Sequence, residues 1–85
     1  MFSMSTEVID MSKTVLNVKG LSCPLPVLHT RNALKRMAAG AVIEIHATDP
    51  TTVQDFDAYC RRTGAALISL REEGGVFTFE IRKGI

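Results

Sequence analysis

Gly20-Leu21-Ser22-Cys23-Pro24-Leu25-Pro26 is the stretch at which the periodicity of the chain changes. Before it, Leu16 and Val18 share one face of a short β-type run, which is the alternation of a strand. After it, apolar positions recur at the spacing of an amphipathic helix from about residue 27 to residue 39. The buried stripe of that helix is predicted to be Val27, Thr30, Leu34 and Met37. The stretch is therefore predicted to be a strand-to-helix turn, with Cys23 just before the first helical turn.

A cysteine at this position is predicted to favour the thiolate. Backbone N–H groups and the positive end of the helix dipole point at it, and such surroundings lower a thiol pKa. Two helix starts are open. If Pro24 is the first helical residue, Cys23 is the N-cap and the Leu25 N–H is its capping donor. If the helix begins at Pro26, because proline disfavours helical geometry at the preceding residue, Cys23 lies one step outside and more exposed.

The rest of the chain supplies one further helix and three further strands. Apolar residues alternate with polar ones from 41 to 47, which predicts a second strand. Asp49-Pro50 then predicts a helix start with Asp49 as N-cap and Pro50 as first helical residue, and Gly64 closes that helix. Runs at about 65–72 and 76–82 are joined through Glu73-Gly74-Gly75, a hairpin signal. Gly40 is expected to be the C′ residue that ends the first helix.

This order, β-α-β-α-β-β, predicts an α+β fold, a two-layer α/β sandwich. The first βαβ unit should be a right-handed crossover between parallel strands, and the last two strands should pair antiparallel. Apolar and polar residues alternate in every strand, which predicts that one face of the sheet is covered and the other faces solvent. The economical arrangement is a four-stranded mixed sheet with two helices on one face. Residues 1–12 show no sustained periodicity and are interpreted as a flexible N-terminal extension, which leaves 13–85 as one domain.

Composition limits the classes of function. The formal net charge is +1, which argues against a dedicated nucleic-acid-binding protein. No apolar run approaches the ~20 residues that a membrane helix needs, and the start lacks a basic signal region, so we expect a cytoplasmic protein. Its two cysteines should be reduced thiols. Cys23, Cys60, His29 and His46 do not have the spacing of known zinc motifs, so neither a metal nor a cofactor is expected.

The chain resembles the TusA/SirA-like family of sulfur carriers, which is marked by Cys-Pro-x-Pro at the start of the first helix. The resemblance extends from Val15 to Gly84. The positions that carry it are Gly20, Leu21, Cys23, Pro24 and Pro26, then Arg31, Gly40, Asp49-Pro50, Asp55, Tyr59-Cys60 and Ile81-Arg82-Lys83-Gly84. Gly20, Leu21, Pro24 and Pro26 are accordingly interpreted as residues that support the motif.

The resemblance implies a sulfurtransferase that acts as a covalent carrier, with sulfur held as a persulfide on Cys23. It implies a cysteine desulfurase or rhodanese-type donor and a separate acceptor protein, in tRNA thiolation, molybdenum-cofactor synthesis or dissimilatory sulfur metabolism. Leu25 departs from the acidic or polar residue that the best-known members carry between the prolines, which bears on the identity of the partner. The predicted partner-docking residues are Leu25, Arg31, Lys35 and Asp49.

Cys60 falls on the apolar stripe of the second helix and is predicted to be a core residue, while His29 and His46 are expected at the surface. A different class of function is a small RNA- or protein-binding regulatory module. Its basic patch would be Arg31, Lys35, Arg36, Arg61 and Arg62, and its RNA binding would be salt-sensitive and independent of Cys23. The modest charge, and strands without exposed aromatic residues, count against it. A redox or selenium-related role for the same thiol is a third possibility.

Overall fold

A computed structural model describes residues 13–84, so the N-terminal extension predicted at 1–12 lies outside the described residues. The elements occur in the predicted order β-α-β-α-β-β. They are β1 (Lys13–Asn17), α1 (Leu25–Lys35), β2 (Val42–Ala47), α2 (Thr52–Thr63), β3 (Ala66–Glu73) and β4 (Val76–Arg82).

The four strands form one mixed sheet in the order β1-β2-β4-β3. Strands β1 and β2 are parallel, with Leu16 opposite Ile45, as expected of a βαβ unit. Strand β4 pairs antiparallel with β2 on one side and with β3 on the other. The predicted mixed sheet is therefore confirmed. Because β1 and β2 are parallel, the loops that follow them leave the sheet at the same edge.

The hydrophobic core lies between the sheet and the two helices. Strand β2 is buried at alternate positions, as its sequence pattern predicts. Phe56 of α2 and Phe79 of β4 are fully buried, with ring centroids 4.7 Å apart. Leu34 of α1 belongs to the same buried cluster, so both helices cover the same sheet face. The cluster consists of Val18, Leu34, Ile43, Ile45, Ala47, Phe56, Tyr59, Cys60, Phe79 and Ile81.

The β3–β4 hairpin turns at Gly74 and Gly75, as the diglycine predicts. The φ angles of these residues are +59° and +83°, a left-handed conformation that glycine adopts without steric cost. A register shift between Leu67 and Ser69 interrupts the ladder of β3 with β4.

The end of α1 differs from the prediction. The helix ends at Lys35 rather than near residue 39, and the N–H groups of Arg36 and Met37 donate to carbonyls three residues back. The Lys83 Nζ donates to the Met37 carbonyl oxygen at 2.6 Å, which holds the chain after the helix against the end of β4. Gly40 is therefore not the C′ residue. It turns the chain into β2 with φ +87°, and its N–H donates to the Lys83 carbonyl at 2.9 Å.

Candidate functional site

Cys23 is exposed and lies in a turn immediately before α1. The helix begins at Leu25 with Pro24 in the cap position, so its start falls between the two alternatives that the sequence leaves open. Cys23 is not the N-cap but stands one residue outside it. The Leu25 N–H donates to the Ser22 carbonyl at 2.9 Å, which closes a turn around the cysteine. The Cys23–Pro24 peptide bond is cis.

The loop after β2 holds this turn in place. The Cys23 N–H donates to Oδ2 of Asp49 at 2.9 Å, and the Gly20 N–H donates to Oγ1 of Thr48 at 2.9 Å. Gly20 itself has φ +82°, a left-handed conformation that glycine adopts without steric cost, which explains why glycine occupies this position. Two adjacent side chains from one loop thus fix both ends of the turn that carries the thiol. The parallel pairing of β1 and β2 brings the two loops together.

Asp49 was predicted to be the N-cap of α2, and this is wrong by two residues. The helix begins at Thr52 with Thr51 in the cap position, and no side chain caps it. Asp49 instead closes the turn before the helix, where its Oδ1 accepts from the Thr51 N–H at 3.0 Å. The hydrogen bonds from the Thr51 and Cys23 N–H groups lower the pKa of the Asp49 carboxyl. Asp49 is thus a charged acceptor that joins the start of α2 to the cysteine turn.

The electrostatics of Cys23 are opposite to the prediction. The pKa of its thiol is raised, first by a hydrogen bond with the Asp55 side chain, then by desolvation and by the negative charges of Asp55 and Asp49. The expectation of a stabilised thiolate considered only the dipole of α1, and Cys23 lies outside that helix. Two carboxylates contributed by a different segment raise the pKa of the thiol, because like charge disfavours the anion.

Asp55, one of the positions that carry the family resemblance, is a site residue to which the sequence analysis assigns no role. It lies in the first turn of α2 and is partly buried, and its Oδ2 is buried without a hydrogen-bond partner among the described residues. The helix pattern alone explains an acid there, because a carboxylate near a helix N-terminus is favourable. The signal that would have found it is topological. Strands β1 and β2 are parallel, so the loops that follow them lie side by side. The start of α2, which follows the loop after β2, therefore lies near the start of α1.

The first turn of α1 presents an apolar surface beside the cysteine. Leu25 and Leu28 are 42% and 41% exposed, whereas Pro26 is buried and Leu21 packs against the core. The apolar residues of the motif stretch therefore divide into buried or half-buried ones and exposed ones. Pro26 and Leu21 anchor the turn to the protein, and Leu25 is left at the surface next to Cys23, where it was predicted to meet a partner.

Arg31 and Lys35 lie elsewhere on the same helix. Arg31 is six residues beyond Leu25, or about 9 Å along the helix axis at 1.5 Å per residue. With Lys35 it lines a cavity of about 480 Å³ between the C-terminal halves of the two helices. The four predicted docking residues thus form two groups, with Leu25 and Asp49 at the thiol and Arg31 and Lys35 at this cavity.

The remaining candidates are not at the site. Cys60 is buried in the core, as predicted, and burial is the main cause that raises the pKa of its thiol. The Nε2 of His46 lies 2.5 Å from Oε2 of Glu44, both on β2. Within residues 13–84, no three His, Cys, Asp or Glu side chains are grouped so as to hold a metal ion. No helix in that part of the chain is long and apolar enough to cross a membrane.

Comparison with known proteins decides the family. Residues 14–83 match the family model described as sulfurtransferase TusA. The chain belongs to the TusA family. The sulfur carrier protein TusA of Allochromatium vinosum is 47% identical over 68 residues, which is 80% of this chain and 90% of that protein. The sulfur carrier protein TusA of Pseudomonas putida strain GB-1 is 38% identical over 69 residues, or 81% and 86% of the two chains.

A solved structure shows the same fold. The crystal structure of a SirA-like protein from Desulfitobacterium hafniense superposes with a TM-score of 0.73 and covers 85% of this chain and 99% of its own. Its sequence identity is 23%, so this likeness concerns the fold. The predicted TusA/SirA-like family and two-layer fold are thereby confirmed, and the family is one of sulfurtransferases and sulfur carriers.

Proposed function

We propose that this protein carries sulfur as a persulfide on Cys23 between a donor protein and an acceptor protein. The observation that carries the proposal is the placement of Cys23. Its thiol is exposed, lies outside the helix, and stands on a turn fixed by hydrogen bonds to Thr48 and Asp49. A partner protein can therefore reach a sulfur atom whose position is already set. Membership of the TusA family supports the same role.

The transfer is an exchange at sulfur without net oxidation. The Cys23 thiolate attacks the outer sulfur of a donor persulfide, the S–S bond of the donor breaks, and the donor cysteine leaves as a thiolate. Cys23 then holds the outer sulfur as its own persulfide. In the second transfer an acceptor thiolate attacks that outer sulfur, and the Cys23 thiolate is the leaving group. Both steps follow the rules of thiol–disulfide exchange.

The surroundings suit a carrier more than a self-sufficient catalyst. A neighbouring thiol would attack the persulfide and release its outer sulfur, but the second cysteine, Cys60, is buried in the core. The raised pKa of Cys23 keeps the free protein largely in the thiol form at neutral pH, which protects it from oxidation. A partner that brings positive charge toward Asp55 and Asp49 would lower that pKa in the complex. Reactivity would then depend on docking.

The proposed partners are a cysteine desulfurase or rhodanese-type donor and a separate sulfur-acceptor protein in tRNA thiolation, molybdenum-cofactor synthesis or dissimilatory sulfur metabolism. Leu25, with its neighbour Leu28, supplies an apolar contact beside the reacting sulfur. Arg31 and Lys35 supply positive charge farther along α1, and Asp49 contacts the cysteine turn through the hydrogen bond that its Oδ2 accepts from the Cys23 N–H. We assign all four predicted residues to docking and only Cys23 to the chemistry.

Radioactive sulfur tests the proposal. The full chain is incubated with a desulfurase and cysteine labelled with ³⁵S, then freed of small molecules and treated with cyanide. Cyanide removes the outer sulfur of a persulfide as thiocyanate and leaves the thiol. We expect one labelled thiocyanate per protein from the wild type and none from Cys23→Ser. Label that resists cyanide, or that Cys23→Ser retains, would contradict the proposal.

A further inference from the structure

The cavity between the C-terminal halves of α1 and α2 is strongly basic. Its volume is about 480 Å³, within the range of small-molecule sites. Helix α1, helix α2 and the segment after β4 each contribute to its wall. The cationic residues are Arg31, Lys35, Arg62 and Lys83, and the others are Leu34, Tyr59, Thr63, Ala65 and Gly84. No carboxylate from the described part of the chain lines it.

These charges are not neutralised within residues 13–84. Arg61, the neighbour of Arg62, pairs with Asp57 at 3.0 Å on the outer surface of α2, whereas Arg31, Lys35 and Arg62 have no salt bridge in that region. The C-termini of two helices carry about half a negative charge each. They therefore offset about one positive charge. The Lys83 Nζ is hydrogen-bonded to the Met37 carbonyl, so the excess positive charge of the cavity rests on Arg31, Lys35 and Arg62.

Tyr59 lines the cavity together with Leu34. Its side chain is 6% exposed, and the guanidinium carbon of Arg62 lies 5.9 Å from the centre of its ring. Burial raises the pKa of the Tyr59 phenol, and the positive charges of Arg31 and Arg62 oppose that shift. The hydroxyl makes no hydrogen bond to the described residues, so it is free to donate to a ligand.

We propose that this cavity binds a small soluble anion of the phosphate class, a pyrophosphate or a larger phosphate ester. Two guanidinium groups from different helices match the geometry of phosphate oxygens, and lysines add positive charge. The volume exceeds one phosphate group, and Leu34 and Ala65 offer apolar contact to the remainder of such a ligand. The site is about 9 Å or more along α1 from the cysteine turn. It does not depend on the persulfide proposal.

The chain contains its own reporter of occupancy. Tyr59 is the single tyrosine in a sequence without tryptophan, so the intrinsic fluorescence of the full protein reports on this cavity. We propose to titrate the protein at low salt with inorganic phosphate and with pyrophosphate, and to confirm the affinity by calorimetry. A saturable fluorescence change with pyrophosphate is expected, with weaker binding of phosphate and loss of affinity as salt rises.

Matched variants separate a built site from general charge attraction. Lys35→Gln and Arg62→Gln each remove a cavity cation and should weaken pyrophosphate binding about tenfold, the usual effect of losing one charge-assisted hydrogen bond. Arg36→Gln and Arg61→Gln make the same charge change one residue away, outside the cavity, and should leave the affinity within about twofold, since exposed charges contribute little. Cys23→Ala should bind like the wild type.

Three results would overturn the proposal. One is no saturable binding of pyrophosphate at low salt. Another is an equal loss of affinity in all four charge variants, which would indicate an unspecific basic surface. A third is binding of a single-stranded RNA oligonucleotide through the same residues when pyrophosphate does not bind, which would assign the surface to a macromolecule. None of these results bears on whether Cys23 carries sulfur, which the label experiment decides separately.

Discussion

The backbone N–H of Cys23 donates to Oδ2 of Asp49 at 2.9 Å, across 26 residues of sequence. This bond joins the turn before α1 to the loop before α2. It fixes the backbone at Cys23 while the thiol itself stays exposed. The same carboxylate also contributes to the negative potential that raises the pKa of the thiol. Asp49 therefore fixes the backbone at Cys23 and adds the smallest of the causes that raise the pKa of its thiol, after Asp55 and desolvation.

Asp49→Asn should lower stability in a pH-dependent way. The pKa of Asp49 is lowered in the folded protein by the Thr51 and Cys23 N–H groups, so its stabilising effect is complete above the unfolded pKa of about 3.9. The effect is lost as pH falls through the lower folded pKa. We expect the urea midpoint of the variant to lie below that of wild type at pH 7, and the two curves to converge in acid.

Asp57→Asn is the matched control for that measurement. Asp57 lies on the outer surface of α2 and pairs with Arg61, whose side chain is 79% exposed. Exposed pairs contribute little to stability, so this variant should follow the wild type at every pH. A pH-independent difference for Asp49→Asn would show that its hydrogen bonds do not depend on the carboxylate charge.

Asp55→Asn should make Cys23 more reactive. Removing the carboxylate removes the largest cause of the raised thiol pKa, so the pKa falls and more thiolate is present at neutral pH. In a Cys60→Ala background the alkylation rate by iodoacetamide reports on Cys23 alone. We expect its pH profile to shift to lower pH and the rate at pH 7 to rise severalfold. Asp57→Asn is the control and should leave the midpoint unchanged. An unchanged midpoint in Asp55→Asn would show that Asp55 does not raise the pKa of the Cys23 thiol.

Leu25→Asp should impair docking without changing the intrinsic chemistry of the thiol. The side chain is 42% exposed beside Cys23, and a carboxylate there disfavours an apolar contact with a donor. We expect slower sulfur loading from a desulfurase, seen as a higher KM. The rate of Cys23 alkylation should fall no further than like-charge repulsion from the added carboxylate explains. Ile68→Asp, at an apolar residue of β3 that is 43% exposed, should load like the wild type.

The order of the elements and the pairing of the strands followed from local patterns that had one interpretation each. The diglycine hairpin, the alternation of β2 and the Cys60 stripe of α2 needed no knowledge of distant residues. The end of α1 could not be predicted in this way. Lys83 holds the carbonyl of Met37 from 46 residues away, and no sequence window contains that contact.

The sequence predicts Cys23 as the candidate site residue but does not predict the side chains that surround its thiol. Cys23 is identified by its motif, and its exposure follows from the two prolines. Its raised pKa depends on Asp49 and Asp55, which reach it only after β1 and β2 pair in parallel. A prediction based on one helix dipole therefore gave the wrong sign.

Intact-mass spectrometry after sulfur loading tests the central claim most directly. The full chain is incubated with a desulfurase and cysteine, or with a rhodanese and thiosulfate, and is measured before and after reduction with dithiothreitol. We predict one added sulfur atom, about 32 Da, that reduction removes, as expected of a persulfide. Cys60→Ala should gain the same mass and Cys23→Ser none. A mass gain in Cys23→Ser, its loss in Cys60→Ala, or no gain from either active donor would contradict a persulfide carried on Cys23.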